Sequence, residues 1–130
     1  MTWKSFEEIE AWQMARALNQ EIHHLIQTTD LQKNFALKDQ LSRAAGSVMD
    51  NIAEGFERST HGEFKTFLGY AKGSCGEVKS QLYRCLDYGI IDHSTFEKLK
   101  HDIDFISGKL FRLIQYLQST HDKGKRLTQE

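Results

Sequence analysis

The stretch DQLSRAAGSVMDNIAEG, residues 39–55, decides the fold. Leu41, Ala44, Ala45, Val48 and Ile52 return at steps of three and four residues, the spacing of a single helix face. With Leu37 and Phe56 they define a helix over about residues 33–57, its end marked by Gly55, Ser59 and Gly62. At about 100° per residue, Gln40, Arg43, Ser47, Asn51 and Glu54 fall within an arc of about 80° directly beside this stripe. A solvated helix would carry Lys and Glu there, so this polar edge asks for a partner.

Working outward, three more segments carry the same period. Ile9, Trp12, Ala15, Leu18, Ile22, Leu25 and Ile26 predict a helix over about 6–28, with Ser5 and Glu8 placed as a capping box. Thr60 and Glu63 open a third, running through Phe64, Phe67, Leu68, Ala71, Cys75, Val78, Leu82, Cys85 and Leu86 until Gly89. Ser94 with Glu97 caps a fourth, striped by Phe96, Leu99, Ile103, Ile106, Leu110, Leu113, Ile114 and Leu117. No strand pattern competes. Short connections between long helices force antiparallel neighbours, so the expectation is all-α: an antiparallel up-and-down four-helix bundle over residues 1–118. Residues 119–130, STHDKGKRLTQE, are polar and aperiodic and read as a frayed tail.

Composition agrees. A chain of 130 residues with 39% hydrophobic content suits one domain and one core, and the absence of proline suits long unbroken helices. A formal net charge of −1 calls for neither nucleic acid nor an acidic membrane. The asymmetry is mild: residues 1–62 hold six Lys/Arg and nine Asp/Glu, and residues 63–130 hold eleven and nine. No window approaches the length of a membrane span and the N-terminus lacks a cleavable signal pattern, which leaves a cytoplasmic location as the expectation. Cys75 and Cys85, on one helix, stand about 15 Å apart along its axis. They cannot bridge each other, as fits a reducing compartment.

The third helix repeats the polar edge of the second with Tyr70, Ser74, Glu77, Gln81 and Tyr88. Paired antiparallel around a turn near 58–60, the two helices place Arg43 opposite Ser74–Val78 and Ser47 opposite Tyr70–Ser74. The expectation is a satisfied hydrogen-bond network that sets register, with Arg43 paired to Glu77. Two alternatives stay open: an oligomer contact, or an enzyme site for nucleic acid or a small molecule built from Arg43, Asn51, Glu54 and Glu77.

On the far side of the third helix, Gly69, Gly73, Gly76 and Ser80 form a small-residue row. Each helix-interior glycine costs about 1 kcal/mol relative to alanine, so three of them suggest a contact where another backbone approaches closely. Lys65, Lys72 and Lys79 recur every seven residues beside it, with Tyr83 continuing the row and Arg84 close by. A subunit contact, a solvated lysine face and a ridge that follows an RNA backbone all fit.

Catalytic and metal signatures are missing: there is no HExxH, CxxC, glycine-rich phosphate loop or nucleophile elbow. His93, Glu97 and His101 stand at four-residue steps, but with His93 ahead of a cap at Ser94 they are not expected on one face. No metal, cofactor or reaction is assigned.

The runs FEEIEAWQMARALNQEI, LKDQLSRAAGSVMDNIAEGFER and EFKTFLGYAKGSCGEVKSQL resemble the four-helix-bundle proteins encoded in intervening sequences of bacterial 23S ribosomal RNA genes. The resemblance spans about residues 6–118. It rests on Asp39, Gln40, Arg43, Ser47, Asn51, Glu54 and Gly55 in the second helix, and Gly73, Ser74, Glu77 and Gln81 in the third. It implies a small cytoplasmic bacterial protein that forms a ring-shaped homo-oligomer, a pentamer in the known case. Related bundles act as accessory proteins of diversity-generating retroelements and bind RNA and reverse transcriptase. Ser42 precedes Arg43 where the family commonly pairs arginines, which lowers the positive charge there. The functional expectation is a non-enzymatic, homo-oligomeric accessory or assembly factor that binds RNA or protein.

Overall fold

The computed structural model describes residues 3–120. Its four helices are α1 (Glu10–Thr28), α2 (Phe35–Glu57), α3 (His61–Asp87) and α4 (His93–Ser119), with no strand among the described residues. Each helix packs on its chain neighbours, and α1 meets α4 to close the ring, as expected for an up-and-down bundle. The core is built mainly from the four predicted stripes, with Leu37, Leu41, Val48, Ile52, Phe64, Leu68, Leu82, Ile106 and Leu110 among its fully buried side chains; Trp3, Ala11, Leu31 and Ile91 join it from outside them, while Trp12, Ile26, Phe67, Leu86, Leu113 and Ile114 are only half-buried. Trp3, Phe56 and Phe64 meet edge to face at the end where α2 turns into α3, with centroids 6.0–6.4 Å apart.

Three of the four helix starts depart from expectation. Ser5 and Glu8 do not cap α1: residues Phe6–Glu8 form a 3₁₀ turn, and the helix begins at Glu10 after an extended Ile9. Trp3 and Ile9 are both buried, so the core draws the segment into a turn that a continuous helix from residue 6 would not allow. A second 3₁₀ turn, Asp30–Lys33, buries Leu31 and delays α2 until Asn34, whose side chain accepts the Leu37 N–H at 3.2 Å. Thr60 caps α3 as expected, its hydroxyl accepting the Glu63 N–H at 3.2 Å. Asp92, rather than Ser94, caps α4, accepting the Thr95 N–H at 2.7 Å. That bond holds the Asp92 carboxyl below the usual aspartate range. A carboxylate at a helix N-terminus also gains from the macrodipole, which a serine hydroxyl does not.

Gly55 does not end α2. It is buried two residues before the end of the helix, where a Cβ would lie 2.6 Å from Phe67 Cβ and 3.2 Å from Phe64 Cδ1. Glycine is what lets α2 and α3 close together above their turn. The turn itself holds Ser59 at φ 71°, a left-handed conformation that costs a non-glycine residue about 1–2 kcal/mol. Gly89 takes the equivalent conformation after α3, at φ 72°. The predicted bundle limit at residue 118 lies one residue short of the end of α4, and of the expected tail residues 121–130 lie outside the described residues.

Candidate functional site

The two polar edges do face each other. Ser74, the one buried polar residue among those described, donates its hydroxyl to Ser47 Oγ at 2.9 Å. Asn51 Nδ2 donates to Ser47 Oγ and to the Ser47 carbonyl, each at 2.8 Å. At the far end Arg84 Nη1 donates to Gln40 Oε1 at 3.0 Å and Gln81 Oε1 at 3.1 Å, with its guanidinium over the Tyr88 ring at 5.6 Å. At the turn, Glu54 accepts from Arg58 at 3.1 Å, and the Arg58 guanidinium lies 5.1 Å from the Phe67 centroid. The edge is therefore three local clusters rather than one continuous network.

Arg43 does not pair with Glu77. Its Nε meets Asp39 Oδ2 one turn back at 3.1 Å, and both side chains are largely exposed. Register is not the reason: with Ser47 facing Ser74, Arg43 stands level with about Val78, next to Glu77, but Arg43 and Glu77 are both exposed and Arg43 finds its carboxylate on its own helix. The four residues of the enzyme alternative thus turn to different neighbours: Arg43 to Asp39, Asn51 to Ser47 and Glu54 to Arg58, with Glu77 at the surface. No buried side-chain polar atom among the described residues lacks a partner.

The glycine row is open. Gly69, Gly73, Gly76 and Ser80 are all exposed on the outer side of α3, and a Cβ at any of the three glycines would meet nothing within 4 Å. The chain's own packing therefore does not require glycine there, in contrast to Gly55. Exposed Tyr70 and Tyr83 flank the row, and the Tyr83 ring tilts against Phe96 of α4 at 4.7 Å.

Part of the basic row is tied up within the bundle. Lys79 Nζ donates to Asp104 Oδ1 of α4 at 2.9 Å, and that bond raises its pKa. Arg84 serves the Gln40–Gln81–Tyr88 cluster. Of the four candidates for nucleic-acid contact, Lys65 is half-buried and Lys72 exposed. The fixed lysine and arginine follow from antiparallel packing, which brings an α4 carboxylate and an α2 amide into reach; periodicity within one helix carries no trace of either.

Two features went unread in the sequence. Asn19 Nδ2 donates to the Ala45 carbonyl at 2.8 Å and so pins α1 to α2. An asparagine inside a helix is unfavourable enough to have been a signal. Arg58 gathers Glu54, Glu63 and Phe67 at the turn, and its spacing of four from Glu54 was visible.

With Asp92 as cap, His93 lies within α4 and its Nε2 sits 3.8 Å from Glu97 Oε1, so those two do share a face. His101 lies against Phe105. No group of His, Cys, Asp and Glu among the described residues is arranged to hold a metal. Cys75 and Cys85 are free and buried, and burial pushes their thiols up to about 12 and about 11. Among the described residues no helix is long and apolar enough to cross a membrane.

Comparison with known proteins follows the same fold. A crystal structure of a protein of unknown function from the S23 ribosomal protein family of Bacteroides thetaiotaomicron superposes with a TM-score of 0.73 at 20% identity, covering 81% of this chain and 95% of that one. At that identity the likeness is one of fold. No curated protein matches the chain significantly. The profile of the 23S rRNA-intervening sequence proteins matches residues 7–112, a span that takes in α1, α2, α3 and most of α4. On that match, the chain belongs to the 23S rRNA-intervening sequence protein family.

Proposed function

We propose that this protein is a non-enzymatic subunit of a homo-oligomer, an assembly factor whose contact surface is the outer side of α3. The observation that carries this reading is the open glycine row. Three exposed helix-interior glycines cost the isolated subunit about 3 kcal/mol in helix propensity, and nothing within the subunit uses the space they leave. A second copy seated there would use it, because backbone approaches backbone only where side chains are missing. Tyr70 and Tyr83 beside the row supply the aromatic surface that subunit contacts favour.

A protein contact is favoured over RNA, since Lys79 and Arg84 are engaged within the subunit and the net charge is −1. A cytoplasmic setting is supported by two free, buried thiols. The test is light scattering after size exclusion at micromolar concentration. A defined oligomer, with the ring-shaped pentamer as the form the family resemblance implies, supports the reading, and a monomer refutes it. Salt-sensitive binding of single-stranded RNA by the oligomer would move the partner assignment from protein to RNA.

A further inference from the structure

α1 is held unevenly. On the α2 side Asn19 bonds to the Ala45 carbonyl. On the α4 side a chain of cavities follows the seam. One of about 590 Å³ and one of about 220 Å³ share Ala17, Glu21 and Lys98 in their walls, and a third of about 350 Å³ lies beside Ala11, Lys109 and Tyr116. Ala11 and Ala17 leave gaps there that longer side chains would span.

Cross-seam ion pairs lie over these gaps. Lys98 of α4 binds Glu21 of α1 as well as Asp102 of its own helix, and Lys109 of α4 donates to Glu10 of α1 at 2.6 Å. The carboxylates and Lys98 are substantially solvent-exposed, so salt screens these pairs. The opposite seam is built differently. Between α2 and α3, Gly55 admits close contact with Phe67, and Ser47 bonds to the buried Ser74.

We propose that the α1–α4 seam is an opening edge strapped by Glu10–Lys109 and Glu21–Lys98. Through it α1 rolls off α4 on its contact with α2, held by the Asn19–Ala45 bond, and exposes Leu18, Leu25, Leu99 and Ile106. The proposal is independent of the assembly reading, which uses the outer side of α3.

Hydrogen exchange read by mass spectrometry on the full chain tests it, at about 0.02 M and about 0.5 M KCl, a range over which the Debye length falls from tens of ångströms to a few. The expected result is α1 exchanging through a local opening, well ahead of the core amides of α3. High salt should speed α1 by about two- to fivefold per strap and leave α3 unchanged. The double variant Lys98→Met with Lys109→Met should show the faster α1 exchange already at low salt and lose the salt response. Ala17→Leu, which fills the gap, should slow it. Exchange of α1 only together with α3, a salt response equal in all helices, or a salt response that survives in the double variant would each overturn the proposal.

Discussion

Replacing Gly69, Gly73 and Gly76 together by alanine tests the proposed assembly, because the isolated chain and the proposed contact respond with opposite sign. Each Cβ enters open space, so the isolated subunit gains helix propensity without a clash, about 1 kcal/mol per site and about 3 kcal/mol in all. For a domain of this size 1 kcal/mol moves Tm by roughly 3–5 °C, so the monomer should melt about 10–15 °C higher. If a second copy packs against the row, the same three methyls stand where its backbone must sit. Overpacking of about 1–3 kcal/mol per contact would then weaken association by at least tenfold for each 1.4 kcal/mol lost. Circular dichroism melts at a concentration where the subunits are apart, together with light scattering at micromolar concentration, read the two effects separately. A variant that keeps its oligomer while gaining Tm would refute the contact. A variant whose dissociated subunit melts lower would refute the claim that the row is unused within the bundle. Gly55→Ala is the internal control: the added Cβ meets Phe67 Cβ at 2.6 Å, so stability should fall by about 1–2 kcal/mol net of the propensity gain.

Arg43→Ala should change stability by no more than about 0.5 kcal/mol in a denaturant titration, since its pair with Asp39 is an exposed one within a single helix; a loss above about 2 kcal/mol would restore the cross-helix role the structure denies it. Ser59→Gly should stabilise by about 1 kcal/mol by relieving a left-handed serine at φ 71°, and an unchanged melting curve would count against strain at that turn. Both thiols should be inert to an aromatic disulfide reagent near pH 8 in the folded chain, and both should react in denaturant. Because burial raises their pKa from 9.0 to about 12 and about 11, the unfolded chain loses these protons first. The thiols' contribution to stability is complete below about pH 9 and declines as pH rises towards about 11–12, which replacing either cysteine by alanine should blunt.

The amino-acid sequence by itself determined the helical class, the four stripes and the order of the bundle, because apolar spacing and short connections are local quantities that tertiary packing only confirms. The cap of α3 was legible because Thr60, and not its neighbour Ser59, stands three residues before Glu63. The cap of α4 was misread between two candidates, Asp92 and Ser94, since the choice depends on where the preceding chain is drawn. The facing polar edges, and Ser47 opposite Tyr70–Ser74, were readable from helical phase and the position of the turn; which residue in that span bonds Ser47 was not. Nor was the partner of Arg43, because an exposed arginine chooses between a carboxylate one turn back on its own helix and one across the seam, and helical phase does not settle that choice. Glycines show the division best. Gly55 and Gly73 look alike as letters, and both sit inside helices. Only the tertiary structure decided that one lies against Phe67 with no room for a methyl group and the other faces open space, because a neighbour's distance is set by how two helices pack and not by the sequence of either.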